Sequence, residues 1–342
     1  MYNSRTLAAG VFVLASVSLA GCSSDPAATG TSAKPTTTAA GDCNYAEISV
    51  GYANPTATNQ GWIIINQGAE DAANKYGVDF SSVGPPSDGD AAGQATVIEN
   101  FISQGVDALV IAPVDAKALV PSVEKANEAG IPVIDVDSFI DGGEITSFVA
   151  TDNLKAAGMQ ADAVGEAIGG EGKVVLINGG QGFQTGQDRR NGFIDTMKAN
   201  YPNVEVIEVQ TEWDAQEAQA GLEDAIAANP DIKAVAQAWD GATVTTVPTL
   251  EQAGLLDSVY VIGFDGAPDA IALLEAGKVE AIVAQQLYKM GYTAVETAVQ
   301  AACGETVEER IDTGALMLTP DNIEEFVDSN PPVLRDFIDQ AS

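Results

Sequence analysis

Between Gly105 and Ser138 two short aliphatic runs flank a stretch whose apolar residues recur at helical spacing. Asp107–Ala112 (DALVIA) is rich in aliphatic and β-branched residues and has the length of a buried strand. Pro113 ends it. In Ala116–Ala129, Leu119, Val120, Val123 and Ala126 fall on one face, which predicts a helix. A first turn tolerates proline, so Pro121 moves the expected start of the regular helix towards Leu119. Gly130 supplies the stop and Pro132 follows it. Ile131–Val136 is a second buried run, ending on Asp137. Two parallel strands joined by a helix form a right-handed crossover. Such sheets bind ligands just outside the carboxyl ends of their strands, and Asp137 stands at that edge.

The same alternation runs through the rest of the chain. Glu47–Tyr52 reads as a strand, followed by a loop and a helix to about Tyr76. Val78–Val83 is a strand, and Ala91–Gln104 a helix with Ala95, Ile98, Phe101 and Ile102 on one face. Thr146–Val149 is a short strand, after which Thr151-Asp152-Asn153 leads into a helix through Ile168. The pattern then restarts. Strands are expected at Lys173–Asn178, Val204–Gln210, Ala234–Ala238, Val259–Phe264 and Val279–Ala284. Helices are expected at Gln187–Asn200, Ala215–Ala228, Ala242–Ala253 and Pro268–Ala276. Leu287–Ala302 reads as the final helix, with a short strand at Ala315–Leu318 behind it. Strict alternation predicts parallel sheets covered on both faces. The restart near residue 151 predicts an α/β protein of two doubly wound parallel-sheet lobes.

The residues just after the strands share a chemistry. They are Asn59 and Trp62, then Asp137, Gln187 and Arg189, Trp213 and Asp214, Trp239 and Asp240, Asp265, and Gln285. All three tryptophans of the chain are among them. Strand-end loops are a poor place for tryptophan unless the rings line a cleft. Flat aromatic faces pack on the C–H faces of a sugar ring, while carboxylates and amides hydrogen-bond its hydroxyls. Asp137 and Asp265 are each able to accept from two neighbouring hydroxyls. Arg189 or Arg190 either donates to the ligand or balances nearby carboxylates.

Charge and the front of the chain narrow the function. The formal charge is −34, with 15 Lys and Arg against 49 Asp and Glu and no histidine. Phosphate backbones would repel such a chain, which argues against nucleic acid. Histidine-based catalysis and histidine-ligated metals are excluded. Most of the acidity reads as a solvated surface. Residues 1–22 carry one early positive charge at Arg5 and an apolar run at Leu7–Leu19 too short to span a bilayer. The run closes on Leu19-Ala20-Gly21-Cys22, which resembles a bacterial lipobox, with Cys22 as the lipidated new amino terminus; an ordinary secretory signal is the alternative. Residues 23–42 are small, polar and proline-containing, a flexible tether reaching roughly 25 Å. Outside the cytoplasm the remaining Cys43 and Cys303 are candidates for a disulfide, the alternative being two free thiols.

With these residues in place the chain resembles the ribose-binding-like substrate-binding proteins of bacterial ABC sugar importers. The resemblance spans nearly all of Glu47–Leu318. It rests on PVDAKALVPSVEKANEAGIPVIDVDS, on TDN at 151–153, on RRNGF at 189–193, on VIGFDGAPDAIALLEAGKVEAIVAQ and on the lipobox. It implies a periplasmic binding protein of type I, in which three crossovers form a hinge and two lobes close over a sugar. The lobes would comprise residues 43–150 plus 286–313, and 151–285 plus 314–342. By resemblance the ligand positions are Asn59, Trp62, Asp137, Gln187, Trp213, Trp239, Asp265 and Gln285. Ribose binders of the family have arginine where Ser138 and Gln187 stand, and asparagine where Trp239 stands. Two cationic donors are lost and an aromatic surface is gained, so a monosaccharide or polyol other than ribose is expected.

The implied protein is a monomer without cofactor or metal, anchored outside the cell through Cys22 and delivering its ligand to a membrane permease. A sugar-sensing partner of a chemoreceptor or sensor kinase is the alternative. A glycoside hydrolase using Asp137 and Asp265 is a remote one. A phosphate loop is absent, because no GxxxxGK[ST] run occurs. Ser87-Asp88-Gly89-Asp90 reads as a solvated turn rather than a calcium loop.

Overall fold

The computed structural model describes residues 43–56, 60–85, 87, 89–182 and 184–341. The expectations for the signal segment, the tether, Cys22, Asn59 and Asp88 fall outside the described residues. The first part of the chain runs β1 (Ser49–Ala53), α1 (Gln60–Tyr76), β2 (Asp79–Val83), α2 (Ala91–Gln104), β3 (Ala108–Ile111), α3 (Val120–Glu128), β4 (Val133–Val136) and β5 (Ser147–Ala150). The second runs α4 (Asn153–Ala167), β6 (Glu171–Asn178), α5 (Gln184–Asn200), β7 (Asn203–Gln210), α6 (Ala215–Ala228), β8 (Ile232–Gln237), α7 (Asp240–Ala253), β9 (Tyr260–Asp265), α8 (Pro268–Glu275) and β10 (Ala281–Gln285). The chain ends with α9 (Leu287–Ala302), β11 (Arg310–Asp312), β12 (Ala315–Leu318), α10 (Ile323–Asp328) and α11 (Pro332–Ala341).

Two six-stranded sheets result, ordered β11-β5-β4-β3-β1-β2 and β12-β10-β9-β8-β6-β7. The first is parallel throughout. In the second only β12 runs antiparallel, pairing Ile282 with Leu318 and Gln285 with Ala315. Central strands such as β3, β4 and β10 are buried at every position, as parallel strands under helices on both faces must be. The edge strands β2 and β7 alternate between exposed and half-buried positions instead. The chain passes between the sheets after β5, after β10 and between β11 and β12. After β10, α9 returns to pack on α1 and the first sheet. Gly68 and Gly291 permit that close approach: a Cβ on Gly291 would run into the Ile65 carbonyl, and one on Gly68 into that of Tyr288. Cys43 is joined to Cys303 at the end of α9, their Cα atoms 5.6 Å apart.

Three expectations need correction. Leu287–Ala302 is not the last helix, since α10 and α11 follow; Leu334 and Ile338, one helical turn apart, anchor α11 on the second lobe beside α8. The strand β11 was not foreseen, being three residues long with only Ile311 partly buried. The antiparallel β12 departs from a purely parallel sheet because the chain enters it directly from β11, across Thr313-Gly314, without a crossover helix to restore direction. The predicted start of α3 near Leu119 matches its N-cap there, with Pro121 in the first turn.

Two buried glutamines hold the strand ends that face the cleft. Gln94 of α2 donates to the Ala53 and Ala112 carbonyls (3.1 and 2.7 Å) at the ends of β1 and β3, and accepts from the Val114 amide at 3.0 Å. Gln160 of α4 donates to the Gln237 and Gly263 carbonyls (2.9 and 3.1 Å) of β8 and β9. Each amide thereby supplies a donor to buried backbone carbonyls of two neighbouring strands at or near their cleft ends.

Asp135 sits in the fully buried β4 and accepts from the Ile140 amide at 2.8 Å. Burial pushes its carboxyl from 3.8 up to about 7, against the pull of that amide. Unfolded, the group ionises near its ordinary value, so across this window only the folded protein keeps the proton and stability falls as pH rises. Relative to wild type, the unfolding free energy of Asp135→Asn is expected to gain about 1 kcal/mol between pH 5 and pH 6. Denaturant titrations at the two pH values measure it. A pH-independent difference would mean that Asp135 ionises normally in the fold.

Candidate functional site

Among the described residues three that are not glycine have positive φ: Asp137 (65°), Trp213 (64°) and Asp265 (116°). Each lies at or just beyond the carboxyl end of a strand: β4, β7 and β9. Such backbone costs on the order of 1–3 kcal/mol and persists where the surroundings hold it for a purpose. Here it turns the three side chains into one cavity of ≈580 Å³ between the lobes. Trp62, on the first turn of α1, and Ser138 line it from the first lobe. Arg189, Trp239 and Gln285 line it from the second.

Arg189 is the hub of the second lobe's wall. It is 5% exposed, and its guanidinium lies 4.0 Å from the centre of the Phe264 ring. Nε donates to Asn153 Oδ1 at 2.8 Å. Nη1 donates to the Ala238 carbonyl at 2.7 Å and to Asp265 Oδ1 at 2.8 Å. Gln285 Nε2 donates to the same Asp265 oxygen at 2.9 Å. Asp265 is thereby held as an oriented acceptor at the cavity, with Oδ1 taking both side-chain donors and Oδ2 reached by the Asp240 amide at 3.4 Å. Asp137 faces it from the first lobe and accepts from Ser138 Oγ at 3.0 Å. Burial pushes the Asp137 carboxyl up, opposed by the positive charge of Arg189 and the Ser138 hydroxyl and reinforced by the charge of Asp265.

Trp213 and Trp239 meet edge to face, ring centroids 5.5 Å apart at 81°. Trp213 is seated on the Gly179-Gly180 pair that follows β6; a Cβ on Gly179 would overlap its indole ring. The glycines after Asn178 are the sequence signal for this seat, and the strand-end residues alone did not point to it. Asn153, which orients Arg189, was legible only as part of the TDN motif. Tyr52, fully buried two places from the start of the loop after β1, was also missed. Burial and the charge of Asp137 push its phenol up.

Two expected ligand residues have other partners in the protein. Asp240 borders the cavity, but its carboxylate is filled by the protein. Oδ1 accepts from the Phe264 amide (3.0 Å) and Thr243 Oγ1 (3.2 Å), Oδ2 from the Gly266 and Ala267 amides (2.8 and 2.7 Å). It fastens the turn that presents Asp265 and is a positioning residue. Its own carboxyl is pushed up by burial and by the Asp265 charge. Gln187 is exposed on α5, donates to the Gln181 carbonyl at 2.8 Å, and lines a neighbouring cavity instead. Asp214 caps α6, accepting from the Gln216 amide at 2.7 Å. Among the described residues no cluster of three or more His, Cys, Asp or Glu is placed to hold a metal ion.

Two lobes of parallel sheet with a cleft at the carboxyl ends of their strands define the type I periplasmic binding architecture. A family model described as a periplasmic binding protein domain matches residues 50–306. The ribose import binding protein of Bacillus subtilis is 30% identical over 269 residues, 78% of this chain and 86% of its own length. A solute-binding protein of an ABC transporter from Actinobacillus succinogenes, solved with D-allose, superposes with a TM-score of 0.76 at 26% identity, covering 82% of this chain and 100% of its own. One from Bacillus halodurans, solved with myo-inositol, gives 0.73 at 29% identity, over 82% of this chain and 97% of its own. The chain belongs to the periplasmic binding protein family. These relatives are transport proteins that bind solutes, not enzymes.

Proposed function

We propose that this chain is the extracytoplasmic solute-binding component of an ABC importer and captures a monosaccharide or polyol between its lobes. The observation that carries the reading is the single cavity holding all three tryptophans together with Asp137, Asp265, Arg189 and Gln285. Indole faces suit the C–H faces of a ring, and the oriented carboxylates suit its hydroxyls. A site built this way rejects ligands without hydroxyls, because its buried polar groups would be left unpaired. Ligand contacts from both lobes favour the closed arrangement, so binding shifts the open–closed population. The closed form then docks on a permease. Ser138 in place of a cationic donor, with the aromatic surface of Trp239, points away from ribose. A thermal-shift screen of sugars and polyols followed by calorimetry tests the reading. Ribose binding far more tightly than every hexose, other pentose and cyclitol would overturn that preference.

Trp62→Ala and Trp239→Ala are each expected to weaken binding by about tenfold or more, on the order of 1–3 kcal/mol, while the protein stays folded. Calorimetry and circular dichroism read the two effects separately. Unchanged affinity in both variants would make the tryptophans core residues. The lipobox-like Leu19-Ala20-Gly21-Cys22 supports anchoring through lipidated Cys22. Cys22→Ser is expected to release the protein from the membrane fraction, and full retention of that variant would remove the anchor.

A further inference from the structure

A second cavity adjoins the one that holds the tryptophans. It measures ≈600 Å³ against ≈580 Å³, and Ser138 and Thr185 line both. Each volume lies within the range of pockets that enclose a small ligand, about 300–1,000 Å³. The two shared residues have short side chains, and each carries a hydroxyl.

The second cavity repeats the chemistry of the first with different residues. Phe139 is 44% exposed, although Ile140 beside it is fully buried. Its ring lies 5.6 Å from that of Phe148 at 60°, and the Arg310 guanidinium lies 4.8 Å from the Phe148 centroid. Phe139, Phe148 and Arg310 thus form one packed group in the wall of this cavity. In the same wall α5 contributes two amides. Gln184 Nε2 donates to Asp188 Oδ1 at 2.7 Å and Gln187 Nε2 to the Gln181 carbonyl at 2.8 Å. Both amide nitrogens are thus anchored, and the side-chain carbonyls are the groups left to accept from a ligand. An exposed aromatic face and oriented acceptors lining one cavity suit a sugar ring.

We propose that the ligand has two rings. One sugar or cyclitol unit lies among the tryptophans, and a second, glycosidically linked sugar rests on Phe139 in the adjoining cavity, with the linkage passing Ser138 and Thr185. The proposal rests on the carbohydrate reading of the tryptophan cavity. It also gives Gln187 a place in recognition that the first cavity denies it. An arginine at position 138 would send a long side chain into the junction and separate the two cavities.

Calorimetry on the purified protein tests it with single-ring compounds beside disaccharides that carry them: D-glucose with maltose and cellobiose, D-galactose with lactose and melibiose, D-xylose with xylobiose, and myo-inositol with galactinol. At least one two-ring compound is expected to bind about tenfold or more tightly than its single-ring parent. Phe139→Ala should remove that advantage and leave the parent's affinity unchanged, with thermal unfolding as the control for folding. Ser138→Arg should remove it as well. A parent that binds while all its disaccharides bind no more tightly overturns the proposal and leaves the single-sugar reading standing. An advantage that survives Phe139→Ala places the second ring elsewhere and also overturns it. Binding of nothing in the panel removes the carbohydrate reading, and this inference with it.

Discussion

Replacement of Arg189 by methionine is expected to lower the unfolding free energy by about 3–5 kcal/mol and to abolish tight ligand binding. The guanidinium is buried and serves three acceptors: Asn153 Oδ1, the Ala238 carbonyl and Asp265 Oδ1. Methionine keeps much of the packing on Phe264 but supplies no donor. The Ala238 carbonyl then loses its Arg189 partner, and Asp265 loses its counter-charge beside Phe264. Removing one member of a buried pair costs more than the pair contributed, because the remaining charge stays behind desolvated. Gln285 still donates to Asp265, and Asp265 is 25% exposed, so water softens the loss without cancelling it.

A double-mutant cycle with Asp265→Asn separates the two contributions. The double variant should recover part of the loss, with a coupling of about 1–3 kcal/mol. Urea unfolding followed by circular dichroism measures it. A loss below about 1 kcal/mol in Arg189→Met would place Asp265 effectively in water. The binding defect has its own cause. Asp265 adopts a φ of 116°, an orientation that relies on Arg189 and Gln285 from one side and on the Asp240-bound turn from the other. Without Arg189 the acceptor is no longer fixed, and a hydroxyl ligand meets a mobile carboxylate.

The fold was largely legible because fully buried parallel strands leave short aliphatic runs bounded by turn residues, with longer stretches of helical spacing between them. The runs at Asp107–Ala112 and Ile131–Val136 contain β3 and β4, and the residues after such runs fall at the cleft by topology alone. Trp62, Asp137, Trp213, Trp239 and Asp265 were found in that way and line one cavity. Gln187 went astray for a helical reason. The expected helix begins at Gln187, but α5 begins at Gln184, so Gln187 lies within the helix and not at its entry from the strand-end loop. Two places along a helix are about 200° apart, and Arg189 turns inward while Gln187 turns out. Arg190, about 100° further round the helix, pairs with Glu208 on the outer side and does not line the cavity. Asp240 does border the cavity, but strand-end position does not reveal what fills its carboxylate. Four protein donors reach it, three of them backbone amides of the next strand and turn, and sequence carries no mark of those.

Loss of the Cys43–Cys303 bond is expected to lower the unfolding free energy by about 2–5 kcal/mol without weakening ligand binding. The two cysteines are 260 residues apart, so the bond closes nearly the whole folded body into one loop. Loop-closure entropy grows with the logarithm of loop length, which places a loop of this size near the top of the range for a single disulfide. Cys43 precedes β1 and Cys303 follows α9, while α9 packs on α1; the bond therefore ties the entry of the first lobe to the helix that returns from the second. Neither cysteine lines the ligand cavity. A body of this size buries enough apolar surface to fold unaided, so Cys43→Ser with Cys303→Ser should remain folded and bind as wild type while unfolding at lower denaturant. Thiol counts in denatured protein supply the independent check: reduction should release two more thiols in wild type and none in the double variant. Equal counts with and without reductant in wild type would show that the two cysteines are free, and the stability difference would then need another origin.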